Sequence, residues 1–149
     1  MRVRTISLLF VALSLAGCGG TPQPKEAQNT ELVQAVVAGE QEKARALLDS
    51  GANIESRNAS QRTPLMLSAL KGNVPMVALL LERGADVNAQ DPEGMTALMW
   101  AAFGGSAKMV ESLLAKGANP TTKDKKGRDA ASWGRDHPQV TAALKQKPK

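Results

Sequence analysis

The sequence has no tyrosine, and its 149 residues include one cysteine, one histidine, two phenylalanines and two tryptophans. A single cysteine, Cys18, excludes a disulfide within the chain and any metal site built from several cysteines. The single histidine, His137, has no second imidazole with which to share a metal ion. Because base stacking needs aromatic faces, their scarcity argues against a nucleic-acid-binding platform. We therefore expect no metal, no cofactor and no nucleic-acid partner.

A catalytic centre is also hard to assemble from these residues. Ser132 and Asp136 lie near His137 in the sequence, and these three residue types form hydrolytic triads. Triad members must meet at a pocket, with an acid that orients the base, and neighbours on one short helix form no pocket. We expect a protein that is not an enzyme, in which His137 is solvated or caps a helix. An enzyme of unfamiliar type is the alternative, which activity assays with a His137→Ala control would detect.

The N-terminal residues are typical of an export signal. Two arginines, Arg2 and Arg4, precede an apolar run from Thr5 to Ala16, which is shorter than the ~20 residues that span a bilayer. Leu15-Ala16-Gly17-Cys18 resembles the bacterial lipobox, in which the cysteine is acylated and becomes the first residue of the mature chain. The resemblance implies a signal peptide over residues 1–17 and lipidation of Cys18. The alternative is an ordinary signal peptide with a coincidental cysteine.

The residues after Cys18 suggest where the protein is held. Removal of residues 1–17 lowers the formal charge from +5 to +3. Gly19 stands where lipoproteins retained in the inner membrane usually have aspartate, so it favours the outer membrane. The segment up to Gln28, with two prolines among polar residues, predicts a flexible tether over residues 18–28. We expect a lipid-anchored protein of the bacterial envelope that faces the periplasm.

The rest of the chain repeats itself with a period of 33 residues. Arg62-Thr63-Pro64-Leu65-Met66 returns as Met95-Thr96-Ala97-Leu98-Met99, and the stretch 79–86 returns as 112–119. Gly51, Gly84 and Gly117 have the same spacing. A constant period of this length predicts a tandem array in which each unit packs on its neighbours.

The repeated residues resemble the ankyrin repeat. The resemblance rests on Thr63-Pro64-Leu65 and Gly84-Ala85-Asp86-Val87-Asn88-Ala89, with their counterparts one period later, and covers roughly residues 29–144. It implies an all-α solenoid of helix-turn-helix units with projecting β-hairpin-like loops. Met66 and Met99 replace the family's usual histidine, so we expect an apolar contact between repeats at that position.

Four units follow from this register over a domain of residues 29–149. They are residues 29–59, 60–92, 93–125 and 126–149, of which the first and last are degenerate caps. The central helices are predicted over Pro64–Leu70, Val74–Glu82, Ala97–Phe103 and Ala107–Lys116. The first helix is expected to begin at Thr30. The last unit is about three residues short near His137-Pro138.

The resemblance further implies that partners bind the hairpin tips and the concave face of the first helices. In this sequence those positions are Arg57, Asn58, Gln61, Arg62, Gln90, Asp91, Glu93, Met95, Lys123, Lys125, Lys126 and Arg128 at the tips, and Leu70, Lys71 and Phe103 on the helices, with Val37, Ala38 and Gly104 at matching positions. Leu70, Met95 and Phe103 are apolar at positions that the fold usually exposes, which indicates an interaction patch. Trp100 either joins them or is buried against the next repeat. The middle tip is acidic and the next is basic, which favours an oriented partner.

These features together predict a non-enzymatic protein-binding module, held at the membrane through acylated Cys18 and monomeric. It would act as an adaptor, accessory factor or inhibitor of an envelope or periplasmic protein. The alternatives are an immunity protein that neutralises a toxic effector, and a structural or electrostatic surface protein without a specific partner.

Overall fold

The computed structural model describes residues 24–146, and within that range the chain forms helices and no strand. The helices are α1 Pro24–Ala38, α2 Gln41–Asp49, α3 Pro64–Leu70, α4 Val74–Glu82, α5 Ala97–Phe103, α6 Ala107–Ala115, α7 Ala130–Trp133 and α8 Pro138–Lys145. The odd-numbered helices pack side by side in one layer, and the even-numbered helices form a second layer beside it. Four antiparallel pairs therefore stack along one axis, which confirms the predicted all-α solenoid.

The odd-numbered helices are here called the inner helices. The starts of α3, α5 and α7 are set by residues at one repeat position. Thr63 precedes α3 and Thr96 precedes α5, and each hydroxyl oxygen accepts a hydrogen bond from a backbone N–H three residues later, at 3.4 Å. Asp129 does the same for α7, with the Ser132 N–H at 2.9 Å. These caps satisfy donors that the first helical turn leaves free. The repeat position therefore sets where each of these three helices begins.

Small residues let the inner layer close. Ala69, Ala101 and Ala102 are completely buried where neighbouring helices approach. Met66 and Met99 are also buried, each 1% exposed, at the position where the family usually has histidine. The core therefore has an apolar side chain where a polar contact between repeats would otherwise lie.

The even-numbered helices are the outer helices, and the loops that follow them form hydrogen bonds between neighbouring units. The Glu55 carboxylate accepts a hydrogen bond from the Asp86 N–H at 2.8 Å, and the Asn88 side-chain oxygen accepts one from the Asn119 N–H at 2.8 Å. Each bond joins one unit to the next. Stacking of the repeats is thus fixed by backbone donors as well as by apolar packing.

The first helix begins earlier than predicted. It starts at Pro24 rather than Thr30, so residues 24–28 are helical and do not belong to a flexible tether. Proline is well suited to a helix start because its missing N–H has no partner there anyway. The Thr30 hydroxyl donates to the Glu26 carbonyl inside the helix, and the Asn29 side chain accepts from the Asn53 N–H at 2.7 Å. Residues 1–23, with the predicted signal peptide and Cys18, lie outside the described residues.

The last unit is shortened in its first helix. Helix α7 has four residues where α3 and α5 have seven, so the shortening falls before the turn and not at His137-Pro138. Gly134 ends α7 so close to α8 that a Cβ there would lie 2.4 Å from Cγ1 of Val140. His137 occupies the N-cap position of α8 without a side-chain capping bond, and its ring lies over Gly105. Of the two roles expected for His137, the capping bond is therefore absent, and its side chain is half-buried.

Within residues 24–146, no helix is long and apolar enough to cross a membrane.

Candidate protein-binding face

Three projecting loops, here called the tips, share one hydrogen-bonding pattern. Asn58, Asp91 and Asp124 lie 33 residues apart, and one side-chain oxygen of each accepts hydrogen bonds from the N–H groups two and four residues later, at 2.9–3.0 Å. A backbone hydrogen bond from the same residue to the carbonyl four residues on closes each tip. This turn requires a left-handed residue, which is Gly94 in the second tip and Gln61, with φ 58°, in the first.

Two of these carboxylates also hold a tryptophan. The second oxygen of Asp91 accepts a hydrogen bond from Nε1 of Trp100 at 3.2 Å, and that of Asp124 accepts one from Nε1 of Trp133 at 3.2 Å. Both aspartates are buried. Asp91 was expected to contact a partner, but it is an internal part of the tip instead. Trp100 is buried, with 8% of its surface exposed, so of its two predicted placements burial is the one found.

Arginine side chains cover the two indole rings. The guanidinium of Arg62 lies 4.0 Å from the centre of the Trp100 ring, and that of Arg128 lies 3.9 Å from the centre of the Trp133 ring. Arg128 also forms an ion pair with Asp124, whose oxygen is 2.8 Å from its Nη2. Burial raises the pKa of Asp124, but hydrogen bonds from the Arg128 N–H, the Arg128 guanidinium and the Lys126 N–H outweigh it, so the pKa lies below the ordinary value.

Met95 corrects another expectation. It occupies the tip position that Arg62 and Arg128 occupy one period before and after it, yet it is buried, with 4% of its surface exposed. The guanidinium groups of the two arginines lie over indole faces, and both side chains stay partly exposed. A thioether side chain has no charge to keep solvated, so it packs inward. Met95 therefore does not belong to an exposed patch.

The tips are joined in a row. Nη1 of Arg57 donates to the carbonyls of Gln61, at 2.7 Å, and of Gln90 in the next tip, at 3.1 Å. The Lys125 N–H donates to the carbonyl of Glu93 at 2.9 Å. These bonds hold the three tips in a fixed relation, so the side chains that leave them form one preorganised surface.

The exposed apolar residues of this surface occupy one repeat position. Val37, Leu70 and Phe103 lie 33 residues apart at the ends of α1, α3 and α5, and we call them the apolar row. Val37 is 40% exposed and Phe103 is 50% exposed, and they are the exposed large hydrophobic residues of the part of the chain that the structure describes. Leu70 between them is half-buried. Exposure of apolar side chains in register across three repeats is typical of a contact surface.

Aromatic rings connect the apolar row to the tips. The Phe103 ring meets Trp100 edge-on with centres 6.1 Å apart, and Trp133 edge-on at 5.6 Å. Phe103 thus lies between the two indoles on which Arg62 and Arg128 stack. The structure therefore brings Arg62, Phe103 and Arg128 together through tryptophan contacts that the sequence did not reveal.

The remaining predicted positions are distributed as follows. Arg57, Gln61, Lys71, Gln90, Glu93, Lys123, Lys125 and Lys126 are exposed, and Asn58, Arg62, Leu70 and Arg128 are half-buried. Because Asp91 is buried, Glu93 is the exposed acid of the middle tip. The contrast between an acidic and a basic tip is therefore weaker at the surface than in the sequence. Among residues 24–146 no group of three or more acidic, histidine or cysteine side chains is arranged to hold a metal ion.

The sequence matches a family model described as ankyrin repeats in three copies over residues 32–124, which is more than half of the chain. The chain belongs to the ankyrin repeat family. The matched range ends at Asp124, so the shortened fourth unit of this ankyrin repeat protein lies beyond it. No curated protein matches the sequence. Ankyrin repeats indicate a protein–protein interaction module, and the exposed row and tips are where this module presents its side chains.

Proposed function

We propose that this ankyrin repeat protein binds a protein partner through the apolar row and the adjoining tips, without catalysis, as an adaptor, accessory factor or inhibitor. The observation that carries the proposal is the exposure of Val37 and Phe103 at one repeat position, with Leu70 between them. Fully burying a side chain of this kind contributes about 1.5–3 kcal/mol. Covering the exposed half of Phe103 would thus supply about 1 kcal/mol to a complex.

The geometry of the tips supports the same proposal. A surface held by side chain-to-backbone and backbone bonds loses little freedom when a partner docks, which favours affinity. The Arg57 link between tips one and two and the Lys125 link between tips two and three provide that rigidity. Charged tips beside an apolar row also resemble the polar rim and apolar core of an interface.

We further propose that the protein acts at the bacterial envelope, facing the periplasm, with acylated Cys18 as its anchor and the outer membrane as the favoured site. The support is the Leu15-Ala16-Gly17-Cys18 sequence after a basic and apolar segment. Labelled palmitate should be incorporated by the wild-type chain and not by Cys18→Ala, which should leave the membrane fraction. Equal labelling of both would refute the anchor.

The binding proposal is tested by chemical cross-linking and mass spectrometry in intact cells. A Leu70→Glu/Phe103→Glu variant places two carboxylates in the apolar row and should lose the partner that the wild type captures. An Ala46→Glu/Ala142→Glu variant adds the same charges at exposed positions of α2 and α8 and should keep it. Circular dichroism establishes that both variants fold. Capture of the same proteins by the wild type and the apolar-row variant would refute the proposal.

A further inference from the structure

Arg62 differs from the other arginines of this face. Its guanidinium carbon lies over the Trp100 ring, 4.0 Å from the ring centre, yet within residues 24–146 Arg62 makes no ion pair and donates no side-chain hydrogen bond. Arg128, the matching arginine on Trp133, uses Nε and Nη2 to bind Asp124. Arg57 uses Nη1 to bind two carbonyls. The donors of Arg62 are therefore available.

The available arginine lies next to Phe103, the more exposed of the two exposed large hydrophobic residues of the apolar row. Trp100 contacts Arg62 on its face and Phe103 at 6.1 Å, so one indole ring joins the guanidinium to the apolar row. Contact with the indole ring restricts the position of the guanidinium. The planar guanidinium of an arginine can bind a carboxylate through two parallel hydrogen bonds. A ligand that places an apolar side chain on Phe103 would bring its neighbouring residues within reach of Arg62.

The charge around the row points to an acidic ligand. Lys71 follows Leu70 directly, and Lys125 and Lys126 project from the third tip, all exposed and without an ion pair among the residues that the structure describes. The exposed acid on the tips is Glu93. Positive potential over a surface raises the rate and specificity with which acidic partners associate.

We propose that the partner contributes an acidic segment in which an aromatic or aliphatic residue packs on Phe103 and a nearby carboxylate binds Arg62. This inference rests on the proposed function, because it names the chemistry that the same face recognises. Arg62 is the specificity-determining residue, and Lys71, Lys125 and Lys126 attract the segment without fixing its register.

The test uses the full chain in detergent and a library of random 12-residue peptides displayed on phage. Peptides retained by the wild type should be enriched over the input library in aspartate or glutamate close to an aromatic or aliphatic residue. Synthetic copies should bind Arg62→Gln at least about tenfold more weakly, since a bond to a charged group is lost. Arg62→Lys, which keeps the charge but not the planar fork, should restore affinity only in part. Arg45→Gln on α2, the same change at a distance, should bind like the wild type.

The outcomes separate this inference from the proposed function. Selected peptides without acidic enrichment, or peptides that bind Arg62→Gln as tightly as the wild type, overturn the acidic segment. If Phe103→Glu still abolishes that binding, the apolar row remains the binding surface and only the partner chemistry is wrong. If no peptide depends on Phe103 and no partner is cross-linked in cells, both proposals fail.

Discussion

Asp91 gives the sharpest test of how the tips are built. Its carboxylate accepts three hydrogen bonds, from the Glu93 N–H at 3.0 Å, the Met95 N–H at 2.9 Å and Nε1 of Trp100 at 3.2 Å, and the residue is 8% exposed. A bond to a charged group contributes about 1.5–3 kcal/mol, and loss of the acceptor leaves buried donors without partners. Taken at the low end for each of the three bonds, Asp91→Ala should lower the free energy of unfolding by about 4.5 kcal/mol.

A second variant, Asp91→Asn, separates the contribution of the Trp100 bond from that of the two backbone bonds. Asn58 occupies the same position in the first tip and accepts both backbone bonds with an amide oxygen. Asp91→Asn should therefore keep the tip and lose only the bond to Trp100, because its NH₂ group faces another donor. The expected cost is about 2 kcal/mol, roughly half that of alanine.

Urea unfolding followed by circular dichroism and tryptophan fluorescence measures both variants. Glu93→Ala, an exposed change on the same tip, is the control and should stay within about 0.5 kcal/mol of the wild type. An Asp91→Ala variant as stable as that control would refute the reasoning. So would an asparagine variant as unstable as the alanine one, since Asn58 shows an amide in this role.

Three further predictions concern stability. Ala101 is completely buried in α5, so Ala101→Asp should lower the free energy of unfolding by about 3–5 kcal/mol. Ala46→Asp, on the exposed side of α2, is the control and should lower it by less than about 1 kcal/mol. A melting temperature of Ala101→Asp within a degree or two of the wild type would contradict the repeat register. Gln61 has φ 58°, so Gln61→Gly should raise stability by about 0.5–1 kcal/mol in urea unfolding, and a lower midpoint would show that its side chain stabilises the tip. Folding lowers the pKa of Asp124 below 3.8, so the ionised carboxylate stabilises the fold fully above that pH, and this stabilisation is lost as the pH falls through the lower pKa of the folded state. The urea midpoint of the wild type should therefore fall with pH over that range, and the midpoint of Asp124→Asn should fall less steeply. Equal pH dependence of the two midpoints would contradict this.

The helices were predictable because the repeat supplies two copies of every signal. Thr63 and Thr96 start helices at matching positions, and three of the four central helices have the predicted ends, with α6 one residue shorter. The first helix has no preceding copy with which to align it. Its start at Pro24 instead of Thr30 depends on local helix-start chemistry, which the repeat pattern does not contain.

The sequence predicted where the residues of the candidate site lie in the repeat, but not which side chains they contact. The repeat register placed Asp91 and Met95 at the tips, positions that the resemblance to the family implies are exposed. Asp91 is buried because its carboxylate accepts a hydrogen bond from the indole N–H of Trp100. Met95 is buried because its apolar side chain packs inward, where the first and third tips have an arginine. Such contacts join residues of different helices and loops, and the repeat pattern of a single sequence does not specify which of those residues meet. Equal spacing of Asp91 from Trp100 and of Asp124 from Trp133 was the one available signal.

The measurement that tests the central claim most directly is photo-cross-linking at a single residue in intact cells. A photoreactive phenylalanine analogue at position 103 lies in the apolar row, and the same analogue at position 46 lies on exposed α2. We predict a discrete protein adduct from position 103 that is lacking at position 46 and is lost with Arg62→Gln. Identical adducts at both positions, or none specific to position 103, would contradict a binding surface at the apolar row.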